Sequence, residues 1–501
     1  MRNLTVLGVA LSGGLCLLAL GCGGASSGLG KVNHIIILMQ ENHSFDNYFG
    51  ALAYAPSSPY HNGNGPCASA DHKCVDGLTC SASSKGLNCT NSNMDDDGST
   101  VFAFKAASRC SDDLDHSWLG THAEVNFESP NDAVSISLAD GFVQQNDLQR
   151  AVDNGESAAD DQTMSFYDQD DLSFYYELAE KFAISDREFA SVLGPTFPNR
   201  SYLMAATSFG HLTSSDSPPP PGGYKPVSGT IFDLLDNHGI SWADYFDEAA
   251  QDGIFRPSDS AHTLPLATFF QQAAGNGTLP QVSLLDLSAV DDEHPPSDIQ
   301  RGQYRVSQLI DAVRNGPFWK DSILFITYDE HGGFYDHVKP PQAPQNGERT
   351  PDGIYPGQCA DLSNPLLSEQ PGGGAECSSN FGSDTSLSDA EALCPTLASD
   401  PTGPFPASCA AFDQLGVRVP LIAVSPFSKV AYVSHAVGDH TSLLALIEKR
   451  FLGPGIHLTR RDQYANDLED MFDFEHSPSL KTIVGSARLP QNDCTEFQLD
   501  P

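Results

Sequence analysis

Apolar, β-branched runs alternate along this chain with segments of helical periodicity, and polar or acidic residues close each run. VNHIIILMQ over residues 32–40 and SILFITY over 322–328 predict buried strands of a parallel sheet. FAIS at 182–185 and the stretch from Pro420 to Val424 predict two more. Asp170 and Asp171 are placed to cap a helix through FYYELAEKF, and Ser297 to cap one through Val313 that ends at Gly316. Asp439 or Thr441 opens a third, carrying LLALIEKRF. Strands alternating with helices are what a layered α/β fold requires.

Two stretches break the pattern. Residues from about 55 to 110 and from about 342 to 413 are rich in Gly, Ser and Cys and lack apolar periodicity, as surface insertions do. The second has only a brief helical signal near Leu387 to Leu393 and is expected over the rim of a cleft. The expected organisation is a signal segment at 1–21, a linker at 22–30, one domain at 31–475 with these two insertions, and a tail at 476–501. SPPPPGG at 217–223 is a stiff loop of polyproline character. In the first insertion Asn93, Asp95 and Asp97 alternate just before Gly98, the spacing of a calcium loop. Phe104 stands where such a loop places its bidentate Glu, so the stretch predicts a solvated turn instead.

Composition narrows the function classes. With 40% hydrophobic and 18% charged residues in 501, the chain can bury a large core and is too polar for a polytopic membrane protein. Its formal charge of −39 argues against nucleic acid or an anionic membrane surface as direct partner. Arg2 and the apolar stretch from Leu4 to Leu20 have the form of a signal sequence. It ends ALGC, with Cys22 placed as the lipidated residue of a bacterial lipoprotein, although Ala19 stands where that pattern usually has Leu. The expectation is an extracytoplasmic protein, lipid-anchored to a membrane or else secreted or periplasmic. Apart from Cys16 and Cys22, ten of the 12 cysteines remain, an even number that fits disulfides in an oxidising compartment.

The candidate chemistry lies where strands end. Glu41 and Asn42 follow the first apolar run, and Asp329 and Glu330 follow SILFITY. Ligands of open α/β sheets collect beyond the carboxyl ends of strands, so the two pairs are expected to meet. Three carboxylates and an amide oxygen suit one divalent cation, with Ca²⁺, Mg²⁺ or Mn²⁺ favoured.

Beyond this, QENHSFDNYFG at 40–50, GPTFPNR at 194–200 and TYDEHGGFYDHV at 327–338 occur in that order. DLDHSW at 113–118, EHPPSDI at 293–299 and VPLIAVSPF at 419–427 accompany them. Together they resemble the phosphoesterase family of bacterial non-haemolytic phospholipases C, related acid phosphatases and plant non-specific phospholipases C. The resemblance runs from Val32 to about Leu452. It implies an alkaline-phosphatase-like three-layer α/β/α sandwich, here with cysteine-rich surface insertions. It also implies that Thr196 is the residue that becomes phosphorylated, that Glu41, Asn42, Asp329 and Glu330 hold the metal, and that His116 and His294 flank the phosphoryl group. His331, Asp336 and His337 are candidates for orienting the metal ligands. Asn199 and Arg200 could contact phosphate or anchor the helix, and His435, Asp439 and His440 belong more simply to helix capping.

The expected activity is metal-dependent hydrolysis of phosphate esters through a phosphothreonine, most simply of the phospholipase C type on phospholipid. The alternatives are an acid phosphatase acting on small monoesters and a non-catalytic, metal-dependent surface lipoprotein.

Overall fold

The computed structural model describes residues 28–63, 65–84, 86–132, 138–154, 161–214, 219–220, 222–257, 259–344, 350–354, 360–363, 393–394, 409–490 and 494. The signal segment, Cys22, and most of the second insertion with Cys359 and Cys377 lie outside the described residues.

Eight strands form one central sheet: β1 (His34–Gln40), β2 (Ala183–Ser185), β3 (Trp242–Phe246), β4 (Thr263–Pro265), β5 (Val282–Asp286), β6 (Ser322–Tyr328), β7 (Leu421–Val424) and β8 (Tyr432–Ser434). Their spatial order is β4-β3-β5-β1-β6-β7-β2-β8. β1 pairs in parallel with both β5 and β6, whereas β7 runs antiparallel to β6 and β2. Every residue of β1 and β6 is buried, which is why both read as unbroken apolar runs.

Nine helices matter for the layers: α1 (Phe45–Phe49), α2 (Trp118–Val125), α3 (Phe142–Asn154), α4 (Ser173–Lys181), α5 (Thr196–Ala205), α6 (Ile231–His238), α7 (Leu266–Ala273), α8 (Ile299–Arg314) and α9 (His440–Ile447). Side chains of successive strand residues point to opposite faces. Ile35, Ile37 and Met39 accordingly pack into one core with Leu203 of α5, Phe232 of α6 and Leu443 of α9. Ile36 and Leu38 pack into a second core with Phe45 of α1, Tyr175 of α4, Phe269 of α7 and Leu309 of α8. Two helical layers thus cover the two faces of the sheet, and the fold is a three-layer α/β/α sandwich.

Two cap assignments differ from expectation. The N-cap of α4 is Leu172, with no side-chain bond, because the Asp170 and Asp171 carboxylates pair with Lys105 and both residues are held in a turn with Asp168, whose amide donates to Asp171 Oδ2 and whose Oδ1 accepts from the Asp170 amide. α8 is capped by Asp298, not Ser297: Asp298 accepts from the Gln300 amide, while the Ser297 hydroxyl donates to the Ala289 carbonyl. Asp439 caps α9 as expected, accepting from the Thr441 amide.

The first insertion is a set of short paired strands held by Cys67–Cys74 and Cys80–Cys89. Cys110–Cys494 ties its end to the C-terminal tail, and Cys394 is bonded to Cys409 within the second insertion. No helix among the described residues is long and apolar enough to cross a membrane.

Candidate active site

The register of β1 and β6 sets Gln40 beside Tyr328, so the chain leaves the sheet at Glu41 and Asp329 on adjacent strands. The Asp329 amide donates to the Gln40 carbonyl at 3.1 Å, and the Asn42 amide donates to Asp329 Oδ1 at 3.4 Å. Asn42 holds the left-handed φ of 67°, which Asn tolerates better than most residues. Gly332, at φ 62°, lies against it: a Cβ there would stand 2.5 Å from the Asn42 Cβ. The glycine is required by both backbone angle and space.

Asn42 is fully buried, yet its Oδ1 and Nδ2 have no hydrogen-bond partner among the described residues, and neither does Glu330 Oε1. Buried polar atoms almost always find partners. Orphaned oxygens on Asn42 and Glu330, two of the four oxygen donors at these strand ends, fit a cation. Arg200 already serves the other two, its Nη2 donating to Glu41 Oε1 at 2.9 Å and its Nε to Asp329 Oδ2 at 3.1 Å. Burial, with Glu41 adding to it against Arg200, pushes Asp329 up to about 6. Burial likewise pushes Glu330 up to about 8, His116 opposing and Asp329 adding to the rise. The crowding of carboxylates calls for more positive charge than one guanidinium supplies.

Thr196 is the first residue of α5, not its cap: Pro195 occupies the N-cap without a side-chain bond. The Thr196 hydroxyl makes no hydrogen bond among the described residues, and Thr196 lines the cleft. Asn199 builds the turn that presents it, donating to the carbonyls of Gly194 and Pro195 and accepting from the Val192 amide. Asn199 is therefore a scaffold and not a phosphate contact. Arg200 lies one helical turn beyond Thr196, on the same face. Both line a cleft of about 750 Å³ with Glu41, Asp286, Asp292 and His294.

The two histidines come together with Asp113, ligand atoms of the three within 4.8 Å of one another, and each lies near one of the carboxylates. His116 Nε2 lies 3.8 Å from Glu330 Oε1, and His294 Nε2 lies 3.9 Å from Glu41 Oε2. Their ring centroids are 6.4 Å apart. Burial works against the charge on His116, but Glu330 and Asp113 outweigh it and hold the ring up to about 9. His294 is raised in the same manner, burial opposing and Glu41 prevailing.

Of the residues expected to orient the ligands, His331 is in place: its Nε2 meets Glu124 Oε2 at 2.7 Å and its Nδ1 lies 3.8 Å from Glu330 Oε2. Asp336 and His337 are not. Asp336 accepts from Arg418 Nε at 2.9 Å, and His337 bridges Asp46 at 2.6 Å and Asp76 at 3.2 Å. Gly332 and Gly333 turn the chain away after His331, so these two bind the loop to α1 and the first insertion. His440, expected at a helix cap, instead contacts the Asp329 carbonyl through Nε2 at 2.7 Å.

Two anchors had no signal in the local sequence. Glu293, at φ 74°, accepts the phenols of Tyr48, Tyr175 and Tyr328 at 2.7, 2.5 and 2.5 Å and so fixes the backbone that carries His294. Glu124 holds His331 and also accepts from Asn146 Nδ2 at 3.1 Å, while Asn146 Oδ1 accepts the Asp115 amide next to His116. Sequence separations within these contacts run from 22 residues for Asn146–Glu124 to 245 for Tyr48–Glu293. Only the adjacency of Glu293 to His294 hinted at its importance.

Residues 32–452 match the model of the Phosphoesterase family, and the chain belongs to that family. It is a hydrolase of phosphoric esters. Among similar proteins, Non-specific phospholipase C1 of Arabidopsis thaliana is 29% identical over 468 residues, covering 90% of this chain and 72% of the relative. Phospholipase C B of Mycobacterium tuberculosis is 29% identical over 515 residues, covering 94% and 83%. Among solved structures, human ectonucleotide pyrophosphatase / phosphodiesterase 5 overlays 60% of this chain and 94% of its own at 11% identity, with a TM-score of 0.32, too loose to carry an inference.

Proposed function

We propose that this chain is a phospholipase C-type phosphodiesterase that works through a phosphothreonine at Thr196, with one divalent cation held by Glu41, Asn42, Asp329 and Glu330. The observation that carries the reading is the unpartnered Thr196 hydroxyl at a helix start, in one cleft with Glu41, Arg200 and His294. Such a cation would neutralise phosphoryl charge and favour the alkoxide of the nucleophile. Thr196 Oγ attacks phosphorus in line, forming the P–Oγ bond as the bond to the leaving alcohol breaks. His116 or His294, whose hold on a proton is strengthened by neighbouring carboxylates, gives its proton to that alcohol. Water then attacks phosphorus and gives one proton to the histidine, the P–Oγ bond breaks, and the threonine oxygen takes back from solvent the proton it released there on attack. Two in-line displacements leave configuration at phosphorus retained.

Arg200 stays fixed by Glu41, Asp329 and Asp286 and holds those carboxylates in register. Met39, Pro219, Ile254 and Leu287 give the cleft an apolar wall, which suits an acylated glycerol better than a bare monoester. The disulfides fit an extracytoplasmic site of action, and Cys22 supplies the lipid anchor at a membrane surface.

The test is a comparison of diacylglycerol release from phosphatidylcholine with phosphate release from a small monoester. Faster lipid cleavage, abolished by chelation and restored by a divalent cation, is the expected result; a dominant monoesterase would replace the reading with an acid phosphatase. Thr196→Ala should lose roughly 10³-fold or more in turnover with unchanged thermal unfolding. Substantial activity in that variant would end the covalent scheme.

A further inference from the structure

The turn at residues 95–99 gains a partner that its local sequence does not contain. Ser92–Met94 and Thr100–Phe102 pair as a hairpin, closed by the Gly98 amide on the Asp95 carbonyl. Asn93 is buried and bolts the hairpin to the start of α3, donating to the Ala139 carbonyl at 2.9 Å and accepting from the Val143 amide at 3.4 Å. One turn further along α3, Asp147 comes into reach of the loop. Asp95, Asp96 and Asp147 each offer a carboxylate oxygen, all within 4.8 Å of one another.

Asp147 is the informative member. It is only 8% exposed, and its Oδ1 has no hydrogen-bond partner among the described residues. The charged groups that act on it, Asp95, Asp96 and Asp161, are all acidic, and burial, these charges and a side-chain hydrogen bond with Asp95 push Asp147 up to about 7. A buried carboxylate facing only other carboxylates is costly unless a cation joins it. Asp97 is not in this group; its Oδ1 accepts from the Ser99 amide, while Asp95 Oδ2 accepts from the Ser99 hydroxyl at 3.3 Å.

We propose that Asp95, Asp96 and Asp147 form a second divalent-cation site, of the all-oxygen kind that takes calcium, that fastens the first insertion to α3. Water completes the coordination, which places the site in the weak, extracellular class of about 10⁻⁴–10⁻³ M. The site has a structural consequence, because the residue before Asp147 is Asn146, whose side chain holds the Asp115 amide and Glu124. Fixing this part of α3 steadies the loop that carries His116. The proposal does not depend on the phospholipase reading.

Calcium binding to the full chain, stripped beforehand with a chelator, is measured by calorimetry and thermal unfolding for wild type, Asp147→Asn and Asp96→Asn. Each variant is expected to bind one equivalent fewer than wild type, and the Tm rise of wild type in 10 mM calcium, about 2 °C or more, is expected to shrink in both. Calcium taken up by the cleft is common to all three proteins and cancels in the comparison. Equal equivalents in wild type and Asp96→Asn would overturn the site. Asp96 is exposed, so that variant decides the matter even if Asp147→Asn fails to fold.

Discussion

Glu293 shows how one side chain outside the cleft can govern one inside it. Three buried phenols converge on its carboxyl, and its strained backbone leads directly into His294. Glu293→Ala would orphan those phenols, at roughly 1–3 kcal/mol each, and displace His294. Turnover should fall about 10²-fold, more in kcat than in KM, and Glu293→Gln, which keeps an acceptor oxygen, should recover most of it. Steady-state kinetics on both variants check this. His337 makes a pH prediction at the same scale. Burial opposes its charge, but Asp46 and Asp76 raise it from an ordinary 6.5 to about 10. The folded protein thus holds this proton more tightly than the unfolded chain, so the stabilisation is complete below pH 6.5 and is lost as pH climbs through 10. Denaturant unfolding between pH 7 and 10 should show a falling stability whose slope flattens in His337→Gln.

At the scale of elements, the site depends on where strands stop and helices start. β1 and β6 end in register, so two acidic pairs far apart in sequence face one another without any loop having to carry them. α5 starts at Thr196 because Pro195 fits the N-cap while Asn199 ties down the preceding turn. α6 offers a test of helix starts remote from the chemistry. Thr230 and Asp233 form a reciprocal capping box there. Thr230→Ala should cost about 1 kcal/mol in denaturant unfolding and leave hydrolysis unchanged. An effect on hydrolysis equal to that of Thr196→Ala would mean that α6 is coupled to the cleft in a way these contacts do not explain.

For the whole molecule, Cys110–Cys494 spans 384 residues and joins the end of the first insertion to the tail. By restricting the unfolded chain, such a closure should add about 2–4 kcal/mol. Cys110→Ser should therefore lower the Tm under oxidising conditions, and wild type under mild reduction should approach the same value. Calorimetric scans of the two would compare them directly.

The strands β1 and β6, the alternation with helices, and the placement of Glu41, Asn42, Asp329 and Glu330 just beyond strand ends were legible in the chain, because burial on both faces leaves an unbroken apolar run. Motif wording singled out Thr196, His116 and His294, which the fold gathers around one cleft or its carboxylates. Only tertiary structure decided that Asp336 and His337 turn away to Arg418 and Asp46, that Glu293 collects three tyrosines, and that Asp147 closes on the Asp95 loop. The reason is physical: a strand or helix declares itself through the period of its own residues, whereas a charge or a buried acceptor is satisfied by whatever the packed layers bring within about 3 Å, and that partner leaves no trace in the local sequence.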